Sequence, residues 1–121
     1  PDSEKAIEWA AAIAAQQGDV YFFRKNRDRP CDFLIVNGSE IIVVATKRTR
    51  RLYRPVAELT AEYREAIEKL RAVPNPAIER QLWLFSRKGR YRVFRVTTAG
   101  IGELQVRVSS GLAGGGVKTS P

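Results

Sequence analysis

Pro30-Cys31-Asp32 and, after twelve intervening residues, Ala45-Thr46-Lys47 are the segments whose residue types and spacing bear on chemistry. If the two segments pair as a hairpin, a carboxylate at the start of one strand faces an amine at the end of its neighbour. Side chains alternate along a strand, so positions 45 and 47 share a face. An acid at position 45 would complete an oxygen cluster able to hold a hard divalent cation, with Lys47 beside it to steady charge developing on a phosphate. Position 45 is Ala, so that cluster lacks a member. Glu40 begins the same strand, but five residues at ~3.3 Å each put it roughly 16 Å away and on the opposite face.

The surrounding sequence supplies the elements that must position these groups. Residues 3–17 alternate small apolar residues (Ala6, Ile7, Ala10, Ala11, Ala14) with charged or amide ones, with Asp2 or Ser3 as cap and Gly18 as stop, which predicts a helix. Residues 20–24 read as a strand. The apolar runs 33–36 and 41–44, joined around Asn37-Gly38, predict a hairpin whose unbroken hydrophobicity requires cover on both faces. Val56, Leu59, Tyr63, Ala66, Leu70 and Val73 recur at helical spacing between Pro55 and Pro74. Residues 82–85 and 91–96 read as strands joined by Lys88-Gly89, and 103–108 alternates like an edge strand. The expected fold class is α/β, a mixed sheet flanked by helices in the order α-β-β-β-α-β-β-β. One domain spans 1–108, and 109–121 is a Gly- and Ser-rich tail expected to be flexible.

Composition narrows the chemistry. The chain has 121 residues with 21 Lys+Arg, 13 Asp+Glu, a net charge of +8, one Cys and no His. That length buries a real core without disulfides or a structural metal. Without His there is no His-based triad or imidazole base, and one Cys forms no internal disulfide. No apolar run approaches a membrane span and no basic-then-apolar leader opens the chain, so a cytoplasmic protein is expected. Of the 21 cations, 14 fall within 21–54 and 87–95, the second stretch having no acid. Clustered cations suit a polyanion, and Arg48, Arg50, Arg51, Arg54, Arg87, Lys88 and Arg90 are the candidates to contact nucleic acid.

On these residues the chain resembles the PD-(D/E)XK nuclease superfamily, and within it the small archaeal Holliday-junction resolvases, over about residues 4–72. The resemblance implies a restriction-endonuclease-like fold and a site of Glu8 on the first helix, Asp32 opening the second strand and Lys47 closing the third. Glu8 and Asp32 would hold Mg²⁺ if the protein is active, and DNA, double-stranded or branched, would be the partner. A resolvase also needs two sites and hence a homodimer, although no exposed apolar stripe marks an interface. The chain departs from the pattern at Ala45, where the second acid belongs, and at Cys31, inserted between Pro and Asp. Some members of the superfamily carry that acid on the following helix, where Glu58 and Glu62 stand here. The expectation is therefore a DNA-binding nuclease-like protein with a degenerate metal site and at most weak phosphodiester hydrolysis. The alternatives are a non-catalytic nucleic-acid-binding or assembly module on the same scaffold, or a domain whose basic surface meets an acidic protein.

Each residue also has a plainer role. Glu8 fits an exposed helix position, Asp32 a turn after Pro30, and Lys47 the start of a basic run. Cys31 fits a small buried hydrophobe at a strand start. Trp9 and Trp83 are expected in the core. Tyr53 and Tyr91, set among arginines, suit either base stacking or a helix–sheet junction.

Overall fold

Two runs, Ile42–Thr46 and Gln81–Phe85, are buried along their whole length because helices cover both faces of the sheet. The computed structural model describes residues 2–23, 29–75 and 77–104. In chain order they form α1 (Asp2–Ala14), β1 (Asp19–Phe22), β2 (Phe33–Asn37), β3 (Glu40–Arg48), α2 (Val56–Glu62), α3 (Arg64–Arg71), β4 (Glu79–Phe85), β5 (Tyr91–Thr97) and β6 (Gly100–Leu104). This is a mixed α/β fold with a central six-stranded sheet in sequential order β1 to β6. All neighbours are antiparallel except β3 and β4, which run parallel with Ala45 opposite Leu82 and Lys47 opposite Leu84. A parallel pair needs a long crossover, and α2 with α3 provides it.

Strand parity divides the core in two. Phe33, Ile35, Ile42, Val44, Trp83, Phe85 and Val93 point toward α1 and meet Ala6, Ala10 and Ala14. Val43, Ala45, Leu82, Leu84, Phe94 and Val96 point the other way and meet Leu59, Tyr63, Ile67 and Leu70, joined by Cys31 from the segment before β2. Small residues at i, i+4 and i+8 let α1 lie close to the sheet. Truncating a fully buried residue such as Leu59, Leu70 or Trp83 to Ala is expected to cost about 3–5 kcal/mol.

Several boundaries differ from the sequence expectation for identifiable reasons. The β2–β3 hairpin pairs Asn37 with Glu40, so its two-residue loop is Gly38-Ser39, with Gly38 at φ 62° in a position that favours glycine. α1 stops at Ala14, and the chain turns through to Gly18, where an added Cβ would lie 2.5 Å from the Val36 carbonyl oxygen. Gly18 therefore serves a close approach between backbones. The expected single helix after Pro55 is divided at Tyr63 (φ −104°, ψ 26°), although Tyr63 N–H still donates to Leu59 O and Ile67 N–H to Tyr63 O. β6 starts at Gly100 instead of 103, because Thr97 pairs with Gly100 and closes a tight turn over Thr98-Ala99. Residues 105–108 of the expected last strand, the 109–121 tail, and Arg24, Lys25 and Arg27 of the first basic stretch lie outside the described residues, as do the Asp2 and Ser3 capping side chains. No helix among the described residues is long and apolar enough to cross a membrane.

Candidate nucleic-acid interface and the acid–lysine cleft

The antiparallel register puts Phe33 opposite Val44, and Asp32, one residue before β2, donates its N–H to Val44 O. Asp32, Ala45 and Lys47 line one cleft of ≈ 360 Å³, as their shared face requires. α2 and α3 form the other wall with Glu62, Tyr63, Glu65, Ala66 and Lys69, while Arg29, Pro30 and Cys31 complete the near side. Three carboxylates and three cations thus meet in one depression, with Lys47 exposed at its mouth.

The Asp32 carboxylate is fully engaged by the protein. One oxygen accepts from Arg29 at 2.6 Å, and the other accepts from the Thr46 N–H at 2.6 Å and the Thr46 hydroxyl at 3.0 Å. The side chains of Arg29 and Asp32 are 20% and 11% exposed, so water does not replace these contacts cheaply. Glu62 reaches the cleft from α2 but pairs with Arg54, and Glu58 pairs with Arg51 at 3.8 Å without lining the cleft. Ala45 is 5% exposed and supplies no oxygen donor.

Glu8 is not among the residues lining this cleft. It lies two residues from both Ala6 and Ala10, hence across α1 from the stripe that packs on the sheet. Its side chain is 72% exposed with Lys5 at 3.9 Å. Among the described residues no group of three or more His, Cys, Asp or Glu is placed to hold a metal ion. A hard divalent cation needs several free oxygens, and Asp32 offers one carboxylate already closed by an arginine and a threonine. The described residues therefore do not fit a resident Mg²⁺.

Cys31 is buried among the residues facing α2 and α3, its thiol donating to Phe33 O at 3.5 Å. Burial pushes the thiol pKa up to about 12. A thiol that stays protonated is a poor nucleophile, which fits a packing role.

The two basic stretches converge. Thr49 N–H donates to Phe85 O, which lays the loop after β3 beside the β4–β5 turn. Arg48, Thr49, Arg50, Arg51, Arg54, Glu62 and Arg87 then line a second cleft of ≈ 370 Å³. A third, of ≈ 610 Å³, is lined by Arg50, Leu52, Tyr53, Ser86, Arg87, Lys88 and Arg90. Glu62 joins the first cleft to the second, and Arg50 with Arg87 joins the second to the third. The second and third clefts are lined mainly by cations, whereas the first, which holds Lys47, carries as many carboxylates as cations.

Not every cation there is available to a ligand. Arg54 donates to Arg51 O at 2.9 Å and to the Thr49 hydroxyl at 3.0 Å, and it pairs with Glu62, so it shapes the loop. Arg48 lies over the Trp9 ring at 5.3 Å and is half-buried. Arg50, Arg51, Arg87, Lys88 and Arg90 are exposed. Of the aromatic residues, Trp83 is buried, Tyr91 stacks on Phe85 at 5.4 Å, and Tyr53 is 70% exposed.

Sequence reasoning missed Arg29, Thr46, Lys69 and Arg92. Lys69 lies seven residues after Glu62, on α3 rather than α2, and both line the first cleft. Arg92 counted only as one more cation, yet it braces the loop by donating to Leu52 O and Arg54 O, both at 2.8 Å, while pairing with Glu103 at 2.7 Å. Arg95 is likewise paired, with Glu79 at 3.3 Å. No protein-family model matches the chain, and no curated protein matches it at a significant level.

Proposed function

We propose that this protein binds DNA along the groove between the loop after β3 and the β4–β5 turn, on a PD-(D/E)XK nuclease-like scaffold whose cation site is depleted. One observation carries the reading: Arg50 and Arg87, 37 positions apart in sequence, line the same two adjoining clefts. Five exposed cations, Arg50, Arg51, Arg87, Lys88 and Arg90, line these two clefts, a number suited to a polyanion rather than to a single anion. The mixed sheet with helices on both faces is the architecture that the resemblance implies, and Asp32 and Lys47 share the first cleft.

Asp32 held by Arg29 and Thr46, Ala45 without a carboxylate and Glu8 on the outer face of α1 favour binding over cleavage. The mechanism is then electrostatic. Arginine and lysine side chains replace counterions condensed on the phosphate backbone, and their release drives association. Such contacts fix register without reading sequence.

The test compares wild type, Arg50→Ala/Arg87→Ala and, as control, Arg71→Ala/Arg95→Ala, whose arginines are already paired with Glu68 and Glu79. Electrophoretic shift on duplex and four-way-junction DNA should lose the complex only in the first variant. Incubation with Mg²⁺ and with chelator should leave the DNA equally intact. Equal binding by both variants would contradict the assignment, and chelator-sensitive cleavage by wild type, abolished by Asp32→Asn, would contradict the depleted site.

A further inference from the structure

We propose that the cleft at Tyr53 takes an unpaired nucleobase, so that the protein holds single-stranded DNA, or the unpaired stretch of a larger substrate, by stacking as well as by charge. The inference rests on the DNA-binding reading and specifies its substrate class. Tyr53 is 70% exposed, whereas the ordinary fate of such a ring is to bury most of its surface. Three exposed cations from the β4–β5 turn, Arg87, Lys88 and Arg90, share its cleft with Arg50, and Leu52, 3% exposed, forms an apolar floor. No carboxylate is among the described residues that line it. This combination of ring, apolar floor and cations matches a nucleotide in both its base and its phosphate, whereas an acidic peptide would use the cations and leave the ring uncovered.

The second observation is the brace. Arg92 donates to Leu52 O and to Arg54 O, each at 2.8 Å, so the backbone on both sides of Tyr53 is tied to β5. Arg92 is held in turn by the Glu103 carboxylate on β6. A ring on a tethered loop loses little freedom when a base covers it, so more of the stacking energy appears as affinity. Bases inside a duplex are covered by their neighbours, and only an unpaired one offers a whole face.

The probes are oligothymidylate, a deoxyribose-phosphate oligomer of the same length that lacks bases, and an oligoglutamate of equal charge, each measured by fluorescence anisotropy. Wild type should bind oligothymidylate more tightly than the abasic oligomer. Tyr53→Ala should weaken oligothymidylate binding about five- to hundredfold and leave the abasic oligomer unchanged. Tyr53→Phe should behave as wild type, and the fluorescence of Tyr53→Trp should be quenched by oligothymidylate alone. Equal losses on both oligomers, no loss on either, or preference for oligoglutamate would overturn the proposal. Wild type that binds duplex DNA but does not distinguish the two oligomers would overturn this inference alone, whereas wild type that binds no DNA would remove the DNA-binding reading as well.

Discussion

Arg29 and Asp32 form an ion pair at 2.6 Å in which the guanidinium stands against the carboxylate that, with Lys47, opens the acid–lysine cleft. Its partner oxygen takes both donors of Thr46, which tie the approach to β2 to the end of β3. Removing the carboxylate takes one partner from a partly buried guanidinium and leaves the buried Thr46 N–H without its acceptor.

Asp32→Ala should therefore lower stability by about 3 kcal/mol, read as a fall in the midpoint of thermal or urea unfolding. Asp32→Asn should cost less, since its amide oxygen still serves Thr46. Arg29→Ala should also cost less than Asp32→Ala, because Thr46 keeps its acceptor. An Asp32→Ala midpoint equal to that of wild type would show that these contacts add nothing in solution.

Ala45→Glu puts a carboxylate at a position that is 5% exposed, beside Asp32 and Glu62 in the cleft lining. Desolvation and like charge both oppose it, so the variant should be less stable than wild type by several kcal/mol, about 2–4. Mg²⁺ or Mn²⁺ should raise its melting temperature and leave that of wild type unchanged. Equal responses to the metal in both proteins would show that position 45 does not face the acid–lysine cleft.

The Cys31 thiol, raised to about 12 from an ordinary 9.0, should resist alkylation by iodoacetamide in the native protein and react once urea unfolds it. The linkage runs to alkaline pH. The unfolded thiol ionises from pH 9.0 while the folded one stays neutral, so this stabilisation is whole below pH 9.0 and is lost as pH rises toward 12. Rapid alkylation of the native protein near pH 8 would contradict the burial.

The Arg92–Glu103 pair has the opposite pH dependence. The hydrogen bonds from Arg92 hold the Glu103 pKa below its ordinary 4.5, so the contribution is present above that value and falls away as pH drops through the lowered one. Glu103 is 37% exposed, which keeps the effect small. Arg92→Ala should act mainly on the loop: it frees the carbonyls of Leu52 and Arg54, and oligothymidylate affinity should fall although Arg92 touches no ligand. Unchanged affinity would show that the loop needs no brace.

The fold was legible where local chemistry decided it. Asn37-Gly38 announced the hairpin, and the unbroken runs before Thr46 and Phe85 announced strands covered on both sides. The shared strand face of Ala45 and Lys47 followed from parity, and both line one cleft with Asp32. The Glu8 position was legible too, since the Ala6, Ala10, Ala14 stripe already put Glu8 on the far side of α1, although matching it to a family motif pointed elsewhere. The division at Tyr63, the Arg29 contact and the Arg92 brace were not legible. Each depends on which side chain meets which backbone atom after the sheet and helices have packed. Arg92 and Arg95 looked like part of a basic run, and only the register of β5 with β6 and β4 brought Glu103 and Glu79 beside them.

The dependence of duplex DNA affinity on salt tests the central claim most directly. With Arg50, Arg51, Arg87, Lys88 and Arg90 exposed around the second and third clefts, the plot of log Kd against log salt should have a slope of about 4.5, roughly 0.9 per phosphate neutralised. Arg50→Ala/Arg87→Ala should reduce that slope by about 2. A slope near zero, or one that the double variant leaves unchanged, would contradict the assignment of the groove to the nucleic-acid backbone.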